Sequence, residues 1–316
     1  MPILDPIRSL LWSTDGPRLR ASWRLLLSWG LLFVWSVVAA LAAGFTKPFW
    51  NTFPGPARQI LNIGVGTAVF LALFALFARY VDRRPLSNYG FARSPTWVAE
   101  LAVGFLAVLV GTALWHALGV VLGWTTLEFV LDTSDVTDVL WLLALLLPWY
   151  LSGLTQSLLS VALVTKNAAE GLHARGASLA HAVAGAVVVA FLFFTLRHSP
   201  TTATRVLSLV FGGTVFTLLY VHSGNLALSI GALGSANYTN QFVFSNPSGG
   251  PPGDWPEVVH LSQSLPEAVD LVAQTNLPAL VFTYLLAVAW LAWRRDGLAI
   301  HPSLAQWRPR EDTRPE

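Results

Sequence analysis

Long apolar stretches alternate with short polar ones along most of the chain. Eight of them are long enough to cross a bilayer as a helix, which takes about 20 residues. Their predicted bounds are 23–45, 60–81, 97–124, 139–165, 179–196, 206–221, 226–243 and 271–293. Gly, Ser, Thr and Asn run through the fifth to seventh stretches, which are separated by short polar breaks. The pattern predicts an all-α polytopic membrane protein of about eight transmembrane helices.

The same pattern divides the chain into three regions. Residues 1–22 form a predicted cytoplasmic N-terminal tail, residues 23–293 a transmembrane domain, and residues 294–316 a cytoplasmic C-terminal tail. The proline- and glycine-rich stretch 246–253 is predicted to be a loop. No internal repeat is evident, which weakens the case for a transporter built from repeated halves.

The basic residues set the predicted orientation. If the chain crosses eight times, only four of its 19 basic residues face away from the two tails: Lys47, Arg58, Arg197 and Arg205. Because cytoplasmic loops carry an excess of Lys and Arg, both termini are predicted to be cytoplasmic in a cell membrane. The loops on the opposite face are acidic near residues 128–138 and 254–270, and we expect them to be solvated.

Composition excludes several classes of protein. Of the 316 residues, 54% are hydrophobic and 11% are charged, whereas an ordinary soluble domain carries about 25% charged residues. A net charge of +2 gives no support to nucleic-acid binding. The absence of cysteine rules out disulfides, thiolate metal sites and a cysteine nucleophile. The histidines are scattered, and we predict neither a metal nor a cofactor.

Polar side chains within the predicted helices are costly in lipid, so each needs a reason. They are His116, Gln156, His181, His198, Asn237, Asn240, Gln241, Gln274 and Asn276. For His116, His181, Gln274 and Asn276 we expect interhelical hydrogen bonds, worth about 1 kcal/mol each. A proton-driven transporter or an ion channel usually has a carboxylate at mid-membrane, and the predicted spans contain none there.

Two of the remaining polar residues, His198 and Asn237, lie within short motifs. The first is FTLRH, from Phe194 to His198, and the second is IGALGSANY, which begins at Ile230 and contains Leu233 and Asn237. With the run from Asp82 to Gly90, they resemble the CPBP family of intramembrane endopeptidases, which includes type II CAAX prenyl proteases and bacteriocin-immunity relatives. The resemblance is close between residues 152 and 249, within a family-like core of 139–249.

The family's Glu-Glu-x-x-x-Arg-Gly motif is located here by its surroundings. In one register Gln156 and Ser157 occupy the acidic positions, and Val161 occupies the position of the arginine. In a second register Thr165 and Lys166 take the acidic positions, and Glu170 takes that of the arginine. We prefer the first register, which keeps Lys166 cytoplasmic. Both registers lose both glutamates.

The resemblance implies which chemistry is missing. In the family, a glutamate activates water with help from the motif histidine, while a second histidine and an asparagine stabilise the oxyanion. The corresponding positions here are Gln156, Ser157, Val161, His198, Leu233 and Asn237. A glutamine amide cannot accept the proton of water. We therefore expect a catalytically degenerate member that binds membrane peptides or lipidated partners.

Two alternatives remain open. The first is an active endopeptidase with altered catalytic residues, such as a Ser157 nucleophile beside His198, although no acid orients the histidine. The second is a small-solute transporter unrelated to the family, with broken helices near residues 212–213 or 231–237.

Overall fold

The computed structural model of the chain describes residues 10–13, 18–92, 94–245, 255–295 and 297–307. The helices in chain order are α1 (Ala21–Trp50), α2 (Gly55–Tyr80), α3 (Pro95–Val121), α4 (Val136–Gln156), α5 (Val164–His173), α6 (Leu179–Leu196), α7 (Ala203–Ser223), α8 (Ala227–Tyr238), α9 (Glu267–Ala273) and α10 (Leu277–Arg295). Two π-helical segments, Ser157–Leu163 and Thr239–Val243, follow α4 and α8, and 3₁₀ turns span Leu86–Tyr89 and Pro302–Leu304.

Within the described residues, seven helices are long and apolar enough to cross a membrane. They are Ala21–Trp50, Gly55–Tyr80, Pro95–Val121, Val136–His173, Leu179–Leu196, Ala203–Ser223 and Leu277–Arg295. The fourth is a single helix of 38 residues that joins α4, the first π-helical segment and α5. The prediction of a helical, polytopic, membrane-embedded protein is therefore confirmed.

The predicted seventh span is a shorter and more buried helix than the other seven. It consists of the 12 residues of α8 and the five of the π-helical segment Thr239–Val243, and protein covers most of it. Gly231 packs so closely on α3 that a Cβ atom would lie 2.1 Å from the carbonyl oxygen of Leu101. Ser235 Oγ donates to the carbonyl of Phe105 over 2.9 Å. Protein, rather than lipid, therefore surrounds most of this segment.

A small sheet caps one end of the bundle. Strands β1 (Thr125–Phe129), β3 (Val259–Gln263) and β2 (Phe244–Ser245) lie in that order. β1 pairs with β3 in antiparallel register, and β2 pairs with β3 in parallel. The sequence analysis expected solvated loops here, because strands this short lack a long apolar run. We call this the sheet end, formed by residues 51–54, 122–135, 197–202, 244–245 and 255–276.

The opposite end of the bundle holds the described parts of both tails. This terminal end is formed by residues 18–20, 81–92, 174–178, 224–226 and 297–307. The backbone N–H of Leu226 donates to the carbonyl of Gly90 over 3.1 Å, which places the start of α8 beside the start of α3. Since β2, which follows α8, reaches the sheet end, α8 runs parallel to α3 between the two ends.

Most of the predicted bounds shift; the second helix, for example, spans Gly55–Tyr80 rather than 60–81. The first helix begins at Ala21 rather than residue 23, and the fourth extends to His173 rather than 165. The last span begins at Leu277 rather than 271, because Asn276 adopts a left-handed backbone (φ 56°) that separates it from α9. The polar residues expected to join helices also differ. Asn276 does so, through Ser208, but His181 and Gln274 bond within their own helix or its cap.

Candidate functional site

The ends of α4 and α6 bring three predicted or neighbouring polar side chains together. Arg197 Nη2 donates to Gln156 Oε1 over 2.6 Å and lies 3.3 Å from His198 Nε2. His198 Nδ1 lies 2.6 Å from the carbonyl oxygen of Phe194. We call Gln156, Arg197 and His198 the Arg197 site. The structure thus places two of the sequence-predicted residues on one guanidinium group.

The hydrogen bonds of the Arg197 site fix the state of its histidine. A carbonyl oxygen only accepts, so Nδ1 of His198 must carry the proton. A guanidinium only donates, so Nε2 must offer its lone pair to Arg197. His198 is therefore a neutral imidazole whose acceptor nitrogen is already engaged. A nearby cation also disfavours protonation of the ring, which makes His198 a poor general base.

Arg197 itself was missed as a site residue by the sequence analysis, which placed it among the basic residues opposite the tails. Its Nε is buried and has no hydrogen-bond partner among the described residues. No carboxylate forms a salt bridge with it in that part of the chain. A guanidinium offers five N–H donors, so Arg197 retains capacity for an acceptor or an anion. Its position inside the FTLRH motif was the available signal.

A buried polar lining continues from the site along the first π-helical segment. This segment, Ser157–Leu163, is fully buried and packs against α6 and α7. The hydroxyls of Ser157, Ser160 and Thr195 are buried without a partner among the described residues. Unsatisfied buried hydroxyls are uncommon in native proteins, and π-helical turns recur at functional sites. Both features single out this part of the bundle as a place for water or a bound polar group.

The other predicted positions lie apart from these bonds. Val161 is buried within the π-helical segment, and Leu233 is buried on α8. Asn237 Nδ2 donates to the carbonyl of Leu233 over 3.1 Å, a hydrogen bond within its own helix. Lys166, which the second register would place near His198, donates to the carbonyl of Ser303 at the terminal end over 2.7 Å.

A second polar centre lies at the terminal end. The terminal-end cluster consists of buried residues on four segments: Arg18, Arg24, Asp82, Arg84, Tyr89, Asn167 and Glu170. Glu170 accepts hydrogen bonds from Arg18 at 3.0 Å, Arg24 at 3.2 Å and Arg84 at 2.9 Å. In the sequence analysis these arginines entered only the count of basic residues on the side of the two tails, and Glu170 appeared only in the second register. They lie inside the fold because each has a partner of opposite charge.

The charges of the terminal-end cluster hold one another ionised. Burial alone would raise the pKa of Asp82, but the guanidinium groups of Arg84 and Arg24 outweigh it and lower that pKa well below its usual range. Burial raises the pKa of Tyr89, whose hydroxyl donates to Asp82. Burial lowers the pKa of Arg18 to about 10, which leaves it charged at neutral pH. The cluster therefore carries three cations and two anions.

The C-terminal segment closes this end. The guanidinium carbon of Arg18 lies 4.3 Å from the ring centre of Trp307. Arg295 donates to Glu100 over 2.6 Å and also to the carbonyls of His222 and Ser223. Glu100 is fully buried, so Arg295 supplies the cation that its burial requires.

Comparison with family models, curated proteins and solved structures finds no match to this chain. Among the described residues, no group of three or more His, Asp or Glu side chains is placed to hold a metal ion.

Proposed function

We propose that the chain is a catalytically degenerate relative of the CPBP intramembrane endopeptidases, with a CAAX-protease-like core at residues 139–249. In this proposal α8 is an eighth crossing, and both termini lie in the cytoplasm. The Arg197 site binds a carboxylate of a membrane peptide or lipidated partner without cleaving it. The observation that carries the proposal is the position of Arg197 between Gln156 and His198.

Hydrolysis of a peptide bond requires an activated water molecule. Activating water needs a proton acceptor, and losing such a base lowers the rate by about 10²–10⁴. Gln156 is an amide, and the acceptor nitrogen of His198 faces a guanidinium group. No group of the Arg197 site is then free to take a proton, which favours binding over cleavage.

The Arg197 site offers hydrogen-bond donors to a bound group. A guanidinium recognises carboxylates through paired hydrogen bonds, and these are stronger where water is excluded. The unpartnered Nε of Arg197 and the unpartnered hydroxyls of Ser157 and Thr195 supply further polar contacts. A peptide carboxylate, either at its C-terminus or on an acidic side chain, matches this set of donors.

The alternative is an active endopeptidase with altered catalytic residues. Ser157 favours it, because its hydroxyl is buried, lacks a partner among the described residues and directly follows Gln156 in the chain. A serine nucleophile would need His198 as its base, and Arg197 would have to move away from Nε2 first.

The test measures binding and cleavage with the same probe. The full-length protein in lipid nanodiscs is titrated with a fluorescent membrane-spanning peptide that ends in a carboxylate, in its C-terminal amide form, and with an added prenyl group. We expect the carboxylate form to bind more tightly than the amide. Because a hydrogen bond to a charged group contributes about 1.5–3 kcal/mol, Arg197→Gln should weaken binding by about 10–100-fold. Arg79→Gln, at an exposed cation far from the site, is the matched control.

Mass spectrometry of the same samples reports cleavage. No product above background is expected with any peptide. Turnover that His198→Ala abolishes would overturn the non-catalytic assignment and favour the alternative. Equal affinities for the carboxylate and the amide, or equal losses in the Arg197 and Arg79 variants, would contradict the binding proposal.

A further inference from the structure

A cleft of about 430 Å³ lies at the sheet end, between the last turns of α1 and the first turns of α2. Trp255 closes one side of it, with its ring stacked on Phe242 at 6.2 Å between centres and 7° between planes. Gly55 permits this contact, since a Cβ atom there would lie 2.4 Å from the indole nitrogen of Trp255. The fully buried Phe242 anchors Trp255, so the wall of the cleft is held in place by the core.

The polar lining of the cleft is rich in donors and in positive charge. Lys47 on α1 and Arg58 on α2 both line it, and no Asp or Glu is among its described lining residues. Neither cation has a salt-bridge partner in the ranges that the structure describes, which exclude Asp254, the neighbour of Trp255 in sequence. The indole nitrogen of Trp50 is buried there and has no hydrogen-bond acceptor among the described residues.

The depth of the lining also points to a bound group. Asn62 lies about two turns inside the apolar helix α2, yet its side chain is exposed, and Gln59 lies one turn before it. Polar side chains in membrane helices face protein interiors or polar cavities, because contact with lipid is costly. Within this cleft they are available to a ligand that accepts hydrogen bonds.

We propose that this cleft binds a phosphate group, carried by an anionic phospholipid headgroup or by a free phosphate ester. Phosphate is an anion with several acceptor oxygens, which matches two cations, an indole N–H and side-chain amides. The start of α2 adds the partial positive charge of a helix N-terminus. The volume lies within the range of about 300–1,000 Å³ that is typical of small-ligand sites. The proposal shares no residue with the Arg197 site and does not depend on it.

The experiment uses native mass spectrometry of the full-length protein in detergent, with phosphatidylglycerol, phosphatidylcholine or glycerol 3-phosphate added. We expect phosphatidylglycerol to bind at least tenfold more tightly than phosphatidylcholine. The double variant Lys47→Gln/Arg58→Gln should lose at least tenfold in this affinity. Gly44→Phe should cause the same loss without changing the charge. Gly44 lines the cleft and a Cβ atom there meets no other atom within 4 Å, so the added ring can occupy the cleft. Arg205→Gln removes an exposed cation at the same end and should bind like the unaltered protein.

The three added compounds distinguish the sources of phosphate. Displacement of the lipid by millimolar glycerol 3-phosphate would assign the cleft to a free phosphate ester, and retention of the lipid would assign it to a headgroup. A Gly44→Phe protein that binds normally would overturn the proposal, as would equal losses in the Arg205 and double variants. Thermal unfolding of each variant checks that it is folded. If either the double variant or Gly44→Phe fails to fold, the other still tests the cleft.

Discussion

Replacement of Glu170 by glutamine is expected to destabilise the fold by about 3–5 kcal/mol, the usual cost of removing one partner of a buried ion pair. Three guanidinium groups lie within 3.2 Å of this carboxylate, and Glu170 is only 5% exposed. The substitution keeps the shape of the side chain but leaves those three cations with Asp82 as the remaining carboxylate of the cluster. It should raise the equilibrium constant for unfolding by a factor of about 10²–10⁴.

The measurement is unfolding of the purified protein in mixed micelles as the fraction of denaturing detergent rises. Glu128→Gln is the control, because Glu128 is exposed on β1 and its loss should change stability by no more than about 0.5 kcal/mol. The double variant Glu170→Gln/Arg18→Gln should recover part of the loss, since Glu170 is the carboxylate to which Arg18 is bonded. A coupling energy of about 0.5–3 kcal/mol is expected. A Glu170→Gln protein as stable as the Glu128 control would refute the account of the cluster.

Three further predictions concern acid stability, helix packing and the proposed topology. The folded protein holds the pKa of Asp82 below its unfolded value of about 4, so the ionised Asp82 stabilises the fold above about pH 4, and this stability is lost as the pH falls further. Asp82→Asn should therefore lower the free energy of unfolding at pH 7 and weaken its dependence on pH in the acid range. Gly231→Ala should destabilise by about 1–3 kcal/mol through overpacking, whereas Gly30→Ala, in open space, should not, and equal melting temperatures would contradict the packing described. Reporters should read cytoplasmic after Glu316 and external at Asp135, and an external C-terminus would contradict eight crossings.

The sequence predicted the long helices well because lipid imposes a simple requirement on them. About 20 consecutive apolar residues leave one stable conformation in a bilayer, so hydropathy alone located the seven long helices. Strands β1 and β3 were not predicted because each is only five residues long. Their paired residues Phe129 and Val259 are 130 positions apart in sequence. Their pairing depends on tertiary contacts that no local pattern records.

The polar residues were harder to place, because their burial depends on partners distant in sequence. Arg18 and Glu170 are 152 positions apart, and the local sequence around each residue does not identify the other as its ion-pair partner. For the Arg197 site, the motif reasoning identified Gln156 and His198 as candidates but did not identify the arginine between them. A charge count assigned Arg197 to a side of the membrane, whereas its role depends on the side chains it contacts.

The long sequence separations at the terminal end also bear on how the chain is made. Ribosomes deliver Glu100 long before Arg295, which lies 195 residues later and is the last residue of α10. Arg18 and Arg24 likewise emerge well before Glu170. During synthesis these charged side chains therefore stay hydrated at the membrane surface, and they can be buried only after their ion-pair partners have been synthesised. Closure of the terminal end is thus a late event of biogenesis, and a nascent chain that stops before α10 lacks the cation that neutralises Glu100.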